Sequence, residues 1–473
     1  MSRQQSRGRR MALPPPERVA RGLRARLNLT AVLAVVLPAL TVGALSLVSE
    51  PQPDDATHPP RETDLNLAIQ TCPGGLSKAG QVAVASAEGA SGPVEVTEAG
   101  SDVPTPVQVP SDAPVTVDAG KRPLVVRAVD EMAAGLVSAR FDAGPAAVSC
   151  RVPESDQWFT GLGAAARHTS VIELVNPDPG PAVADITVIG PRGPVDAPSL
   201  RGITVPGGRS LSLDLSREIP LRGELAAHVE VSRGRLGVHA VDTFDELGRG
   251  EAGTDWLAPQ LPAQQLTMLG LPRGQGTRAL VVANDGDDEV RATIKVVTQD
   301  SAFEPRGLDE VRVPPGTVVR VPLSAILGKA VDDGALGVQV EATHPVTATL
   351  RSFVGGDVSH AVPLPPVTEP TQVLLPELGP KGRGTVALSG DSVGSAQVTA
   401  HLEGGGEKVI AVDLKPGTTA RVKLPAKTVL VDVAPSGTTV RGALVVEDGG
   451  ASVTGLHELV RTGLVPDVRP ALP

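Results

Sequence analysis

The chain has 473 residues, which allows roughly three domains of ordinary size. It contains no Tyr, 5 Phe and 2 Trp, so its cores must be built from aliphatic residues that favour strands, and sugar-stacking lectin sites are disfavoured. Its net charge of −10 repels nucleic acid, which excludes nucleic-acid binding as a function.

The N-terminus has the pattern of a membrane anchor. Residues 1–28 carry eight Arg, and residues 29–48 carry no charge. A helix of about twenty residues spans a bilayer core. Arginines on one flank, with acidic residues from Glu50 onward on the other, place the N-terminus in the cytoplasm and the body outside.

A cleaved signal peptide is the alternative, with Ala44 and Ser46 as the small residues at positions −3 and −1. The apolar run is longer than the usual core of a signal peptide, which favours an uncleaved signal-anchor. Export follows from either interpretation.

Cys72 and Cys150 are the only cysteines of the chain. In an exported protein, two cysteines predict one disulfide. Two unrelated buried thiols are the alternative. The segment between them shows weaker strand patterns than the rest of the body, and it is either a divergent β domain or a fourth copy of the repeat described next.

The body repeats itself. Residues 171–190 match residues 279–298, and residues 201–216 match residues 309–324, at a constant offset of 108. Asn176 corresponds to Asn284 in this register. A weaker third copy begins near residue 384. A register held over such a length predicts repeated structural units, which we call cassettes.

Each cassette has six or seven runs of alternating apolar and polar residues, separated by Gly, Pro, Asn and Asp. This pattern predicts an all-β fold of tandem immunoglobulin-like or fibronectin-like β-sandwiches behind one N-terminal transmembrane helix, each sandwich folding on its own. The predicted segments are a basic cytoplasmic tail (1–28), a signal-anchor (29–48), a Pro-rich linker (49–62), a divergent β domain (63–150), and cassettes one (151–255), two (256–366) and three (367–473).

Two Pro-Gly corners predict type II turns, in which the glycine takes a positive φ. These are Pro315-Gly316 and Pro416-Gly417. Gly208 holds the same place in cassette one. We interpret all three glycines as structural residues.

One stretch resembles a known family. CRVPESDQWFTGLG at 150–163, the Asn-Pro turn at 176–177 and the Arg201-Gly202 strand resemble an uncharacterised actinobacterial family of exported, membrane-anchored β-rich proteins, classed as a domain of unknown function. The resemblance runs from about residue 60 to the end, and Gly161 is among its most specific points. It implies location and β architecture and leaves activity open.

Three patterns suggest chemistry, and in each case a structural interpretation is stronger. GDSVG at 390–394 fits G-x-S-x-G, but a strand follows it where a hydrolase has a helix. NDGDDE at 284–289 lacks the spacing of an EF-hand loop. His228 and His239 face each other if Arg233-Gly234 is a hairpin turn, but no third zinc ligand is evident. The sequence therefore predicts no catalytic, cofactor-binding or metal-binding residue.

The tryptophans stand near the starts of cassettes. Trp158 and Phe159 occur in DQWFTG, and Trp256 occurs in TDWLAP. Such residues fill the contact between two domains or serve as exposed anchors for a partner. We expect contacts between domains or with a partner at these three positions.

Together these patterns predict a non-enzymatic, single-pass membrane protein that displays a β-sandwich array outside the cytoplasmic membrane, as a structural or protein-binding accessory of the cell envelope. Its expected partners are the membrane and an envelope protein. The alternative is an envelope enzyme or enzyme subunit in glycan assembly, with its site between two domains.

Overall fold

The computed structural model describes residues 36–41, 43, 60–87, 89–246 and 251–465. Contacts divide the chain into one unit of Met1–Arg61 with Pro466–Pro473 and a second unit of Glu62–Val465. In the first unit, residues 36–41 and 43 are helical. The predicted tail, most of the predicted anchor and most of the linker lie outside the described residues. No helix within the described ranges has the length and apolar character needed to cross a bilayer.

The second unit is all-β, as predicted, with two short α-helices. The strands up to residue 150 are β1 (Arg61–Asp64), β2 (Leu67–Cys72), β3 (Gln81–Ser86), β4 (Gly92–Glu98), β5 (Thr105–Val109), β6 (Val115–Asp118), β7 (Leu124–Val129), β8 (Leu136–Phe141) and β9 (Ala147–Ser149). Those of cassette one are β10 (Asp156–Ala165), β11 (His168–Val175), β12 (Ala182–Gly190), β13 (Gly193–Val195), β14 (Ile203–Val205), β15 (Ser210–Asp214), β16 (Arg222–Arg233), β17 (Gly237–Phe244) and β18 (Gly253–Leu257).

Cassette two contains β19 (Ala263–Leu269), β20 (Gly276–Asn284), β21 (Val290–Val297), β22 (Ala302–Phe303), β23 (Val311–Val313), β24 (Thr317–Pro322), β25 (Gly337–Val354) and β26 (Asp357–Ala361). Cassette three contains β27 (Thr371–Leu374), β28 (Arg383–Gly390), β29 (Gly394–Leu402), β30 (Glu407–Leu414), β31 (Thr419–Lys423), β32 (Thr428–Ser436), β33 (Val440–Glu447) and β34 (Ala451–Gly455), before β35 (Thr462–Val465). The helices are α1 (Leu215–Glu218) and α2 (Ser324–Asp332), and short 3₁₀ turns occupy Asp130–Met132 and Pro198–Leu200.

The first β region and cassette three have the same strand order. The first pairs β2-β7-β4-β5 in one sheet and β6-β3-β8-β9 in the other, and cassette three pairs β27-β32-β29-β30 and β31-β28-β33-β34. Each pair of sheets encloses an aliphatic core. The divergent first region is therefore a fourth copy of the sandwich.

Cassettes one and two follow the same order, but a shared strand joins their two layers into one continuous sheet. In cassette one, β10 pairs with β16 along most of its length and with β11 at Ala164 and Ala165. Its register shifts twice on the way, and Gly161 takes a φ of +93° at the first shift. In cassette two, β25 pairs with β21 through its first half and with β20 through its second.

The repeat register extends to individual hydrogen bonds. The side-chain amide of Asn176 donates to the carbonyls of Gly180 (2.8 Å) and Val205 (3.0 Å). That of Asn284 donates to the carbonyls of Asp288 (2.8 Å) and Val313 (3.1 Å), each 108 residues further on. These bonds close the turn between the second and third strands of each cassette.

The structure also agrees with the predicted positive φ of the corner glycines and with the predicted core positions. Gly208, Gly316 and Gly417 have φ values of 65°, 63° and 72°. Leu213 and Val321, which are equivalent in the repeat, are 8% and 7% exposed and belong to the cores of cassettes one and two.

The predicted disulfide is confirmed between Cys72 and Cys150. It joins the end of β2 to the residue after β9. Both cysteines are buried in the core of the first sandwich.

The four sandwiches contact one another in a closed cycle through apolar seams, by which we mean clusters of buried side chains from two sandwiches. The seams join the first sandwich to cassette one (Ile69, Ala99 and Val125 with Val175), cassette one to two (Trp158, Ile189 and Ala226 with Val281, Ala283 and Val318), cassette two to three (Leu269, Val297 and Leu364 with Ala387 and Ala443), and cassette three back to the first (Leu374 and Leu430 with Ala83, Ala85, Val137, Ala139, Phe141 and Ala147). Every sandwich thus packs against two neighbours, an arrangement that the expected string of independent domains did not include.

Candidate functional site

The last strands of the four sandwiches meet inside the cycle. β18 packs against β26, β26 against β34, and β34 against β9. The hydroxyl of Ser452 in β34 bonds both the amide (3.2 Å) and the carbonyl (3.1 Å) of Ala147 in β9. The cavity left between these strands measures about 20 Å³, which is room for about one water.

The segments that leave these four strands surround one larger cavity, of about 430 Å³, which we call the vestibule. Residues 150–154, 259–266, 363–366 and 457–460 contribute to its wall. They enclose one space because they follow equivalent strands of four repeated sandwiches. The repeat therefore builds the vestibule.

The wall of the vestibule is largely apolar. Its apolar residues are Val152, Pro259, Leu261, Pro262, Ala263, Leu266, Pro363, Leu364, Pro365, Pro366, Leu459 and Val460. Proline has no amide N–H, so this wall offers few backbone donors. Leu261 is 61% exposed, so part of the apolar wall is open to solvent.

Arg151 lines both the vestibule and the small cavity between the last strands, which we call the axial cavity. Its backbone is held by two hydrogen bonds to Thr71, of 2.8 and 3.0 Å. Burial lowers the pKa of its guanidinium, and the nearby charge of Glu154 opposes that effect. Within the described part of the chain, the guanidinium has no hydrogen-bond or ion-pair partner.

His457 also lines the vestibule. Burial and, secondly, the charge of Arg151 lower the pKa of its imidazole to about 4, while a hydrogen bond with the backbone of Gly455 opposes them. The ring is therefore neutral at physiological pH. Its Nδ1 is shielded from solvent and has no partner among the described residues.

Two acidic side chains belong to the lining, together with Gln70, Gln260, Gln265 and Arg441. Glu154 and Glu458 are both exposed. Glu458 accepts hydrogen bonds from the amide (2.7 Å) and hydroxyl (2.6 Å) of Thr368, and these bonds lower its pKa. The vestibule thus has a largely apolar wall, the half-buried Arg151, an Arg441 that is paired with Asp391, and two carboxylates open to solvent.

A second polar cluster lies buried where cassettes one and two meet. Asp242 accepts hydrogen bonds from His168 (3.0 Å), Ser170 (2.5 Å) and His360 of cassette two (3.0 Å). Burial alone would raise the pKa of Asp242, but the two imidazoles lower it below its ordinary value. The carboxylate stays ionised and clamps the two cassettes.

Arg351 extends this cluster from the side of cassette two. Its guanidinium makes a bidentate ion pair with Glu224 of cassette one, at 3.0 and 2.6 Å, and lies 4.2 Å from the ring centroid of Phe244. The side chain is 3% exposed. Bidentate pairs fix both distance and orientation, so this contact helps to hold the two cassettes in one orientation.

Two further carboxyls have raised pKa values, whereas that of Asp242 is lowered. Burial, and next the neighbouring Asp357, raise the pKa of Asp255 well above its ordinary value. Burial also raises the pKa of Asp357, whose side chain accepts a hydrogen bond from the amide of Ala451 (3.0 Å). These carboxyls lie on β18 and β26, and the bond to Ala451 joins cassette two to cassette three.

The three aromatic residues singled out from the sequence are all buried. Trp158 lies in the seam between cassettes one and two, and Phe159 lies in the core of cassette one. Trp256 is 5% exposed, and its indole N–H donates to the carbonyl of Gly74 in the first sandwich at 3.0 Å.

The expected facing of His228 and His239 is wrong. β16 pairs with β10 and β12 in one layer, whereas β17 pairs with β11 and β18 in the other, so the chain crosses between layers at residues 234–236 instead of making a hairpin. His228 stacks on Trp158 at 4.4 Å, and His239 bonds Thr71 at 3.1 Å.

The other two motifs are turns between strands. Residues 390–394 connect β28 to β29, and residues 284–289 connect β20 to β21. Among the residues that the structure describes, no group of three or more His, Cys, Asp or Glu is arranged to hold a metal ion.

Sequence reasoning missed Arg151, His457 and the Asp242 cluster. None of them falls at a repeated position or in a known motif. The one available signal was position, since Arg151 follows Cys150 at the boundary between two predicted domains.

The comparisons with known proteins concern the family. The profile of DUF5719, a family of unknown function, matches residues 105–425. The chain belongs to DUF5719. The matched part of this DUF5719 protein includes Cys150, Trp158 and Gly161 but ends short of the vestibule residues after 425.

No curated relative matches the sequence. A solved tetra-tandem repeat in the extending region of a large adhesion protein is similar at 11% identity, covering 83% of this chain and 93% of that chain, with a TM-score of 0.11. A TM-score at that level carries no argument about this DUF5719 protein.

Proposed function

We propose that this DUF5719 protein is a non-enzymatic accessory of an actinobacterial cell envelope. One N-terminal helix anchors it in the cytoplasmic membrane, with the N-terminus inside, and the four sandwiches form a structural or protein-binding platform outside. The disulfide supports export, because such bonds persist in oxidising compartments. The Arg-rich tail and the uncharged run at 29–48 support the anchor.

The observation that carries the proposal is the closed cycle of seams. Four buried contacts fix each sandwich against two neighbours. A body held in this way offers partners a surface whose parts keep their spacing, and a pre-organised surface loses less entropy when it binds.

The alternative is an envelope enzyme in glycan assembly with a site between domains. His168, Asp242 and His360 do converge between cassettes one and two. The side chains of Asp242 and His360 are both 0% exposed, so a substrate has no access to them. Asp242 already uses its oxygens on three donors of the protein. These features support a clamp and favour the binding platform.

Crosslinking in intact cells tests the platform. Photoreactive residues would replace Val103, Leu221 and Val393, which are 75%, 88% and 74% exposed on three different sandwiches. We expect a discrete envelope protein to crosslink from one of these faces and not from the others. The absence of any protein adduct at all three positions would contradict a protein-binding role.

Protease treatment of intact cells tests the location. External protease should remove the body, and the mature chain should keep its N-terminus. A mature N-terminus near Leu47 would overturn the anchor while leaving export intact.

A further inference from the structure

The vestibule joins a largely apolar wall to Arg151, a half-buried cation that has no hydrogen-bond or ion-pair partner among the described residues. We propose that it binds an amphiphilic monocarboxylate, an aliphatic chain that ends in one carboxylate. This inference goes beyond the proposed platform and does not depend on it, since the vestibule belongs to the sandwich body whether or not the body binds a protein.

The size of the vestibule suits a small molecule. Ligand sites usually measure about 300–1,000 Å³, with mostly apolar walls and a few polar groups that fix orientation. The vestibule, at about 430 Å³, falls within that range. The axial cavity beneath it, at about 20 Å³, is too small for anything but water.

The guanidinium of Arg151 favours an anionic ligand. Partial burial lowers the pKa of this guanidinium, so an anion that reaches Arg151 from the vestibule offsets part of its desolvation cost. A carboxylate presents two oxygens to the fork of a guanidinium and forms a bidentate pair. The neutral imidazole of His457 lies on the same lining.

The carboxylates of the lining favour a ligand with one negative charge over a ligand with two. Glu154 is close enough for its charge to act on Arg151, and Glu458 lies on the same cavity. A phosphate dianion would form an ion pair with Arg151 but would also be repelled by both glutamates. A monocarboxylate leaves its remaining atoms neutral where they pass these side chains.

The wall favours an aliphatic body over a sugar. Its five prolines are Pro259, Pro262, Pro363, Pro365 and Pro366, and they carry no backbone N–H. A sugar buried against such a wall would leave hydroxyl groups unpaired, at a substantial cost for each. An alkyl chain has no such groups and gains from burial against Leu261, Leu364 and Leu459.

Photoaffinity labelling of the full-length chain in lipid nanodiscs tests the proposal. The probe is dodecanoate that carries a diazirine near its methyl end, and mass spectrometry maps the adducts. We expect adducts in residues 259–266 and 457–460, competed by dodecanoate and not by its methyl ester or by dodecyltrimethylammonium. A peptide with an apolar C-terminus serves as a further competitor.

Two variants locate the carboxylate. Arg151→Gln should weaken competition by dodecanoate about 10- to 100-fold, the loss expected for a charge-assisted pair. Arg201→Gln, at an exposed arginine with a surface ion pair, is the matched control and should change nothing. Leu261→Glu adds a carboxylate at an exposed position of the wall and should also weaken binding, without depending on the folding of the Arg151 variant.

Each outcome is decisive. Labelling of the vestibule that needs Arg151 and a free carboxylate supports the proposal. Equal competition by the methyl ester, unchanged affinity in both Arg151→Gln and Leu261→Glu, stronger competition by the peptide, or adducts confined to other surfaces would overturn it.

Discussion

The cores of cassettes one and two and the seam between them follow different rules. In the cores, Ile172 corresponds to Leu280 and Leu213 to Val321, all at the offset of 108 and all aliphatic. At the seam the copies differ. Val171 pairs with Val241 in cassette one, while the equivalent Ala279 pairs with Arg351 in cassette two. Positions that repeat build each sandwich, and positions that have diverged join the sandwiches together.

Replacing a core residue should have the largest effect. Leu213→Asp buries an unpaired carboxylate in cassette one, and we expect it to cost about 4 kcal/mol or more of unfolding free energy. Because cassette one packs against two neighbours, the loss should lower the stability of the whole unit, contrary to the independent folding expected from the sequence. Chemical denaturation measures this cost.

Leu211→Asp is the matched control for that change. Leu211 lies on the same strand and is 36% exposed. Its substitution should cost no more than about 1 kcal/mol. Equal losses for the two variants would contradict the assignment of Leu213 to the core.

Breaking the seam cluster should have the next largest effect. Asp242→Ala leaves His168, Ser170 and His360 without their acceptor, and removing one member of a buried charged cluster costs about 3–5 kcal/mol. The pKa of Asp242 is lowered in the folded state, so its ionisation stabilises the fold above its unfolded pKa and loses that effect as the pH falls. The loss of unfolding free energy in the variant should therefore be smallest near pH 2 and largest at neutral pH.

Asp196→Ala is the control for the seam, since Asp196 is 81% exposed and forms only a surface ion pair. We expect a change below about 1 kcal/mol. If Asp242→Ala were as mild as this control at pH 7, the cluster would not hold the cassettes together.

The smallest effect is expected at Asp255, whose pKa shift has the opposite sign to that of Asp242. Its pKa is raised in the folded state, so the stability it contributes is present below its unfolded pKa and is lost as the pH rises through the folded value. Asp255→Asn keeps the acceptor for the amide of Trp256 and removes the charge. We expect a gain on the order of 1 kcal/mol at neutral pH, measured as a flatter dependence of melting temperature on pH. A steeper dependence of melting temperature on pH in the variant would contradict a buried Asp255 carboxyl with a raised pKa.

The sequence predicted what depends on repetition. The Asn176 and Asn284 turns, the positive φ of Gly316 and the core position of Leu213 all follow from a register read directly along the chain. The disulfide followed from the cysteine count. The turns, the glycine and the core position are local or repeated, and two cysteines allow only one pairing, so no other contact between distant segments had to be guessed.

The rest depended on contacts that periodicity does not encode. Alternating residues on both sides of Gly234 fit a hairpin and a crossing between layers equally well, which is why His228 and His239 were expected to face each other. Arg151 gains its place only because four linkers converge, and linkers carry no periodic signal. The side chains of the seam, such as Asp242, stand where the copies differ.

Differential scanning calorimetry of the full-length chain, with its disulfide intact, tests the closed cycle most directly. We predict that the four sandwiches of Glu62–Val465 unfold in one cooperative transition, with a calorimetric enthalpy close to the van't Hoff enthalpy. Separate transitions for individual sandwiches, with a calorimetric enthalpy several times the van't Hoff value, would show that the seams do not couple them and would contradict a cooperative cycle.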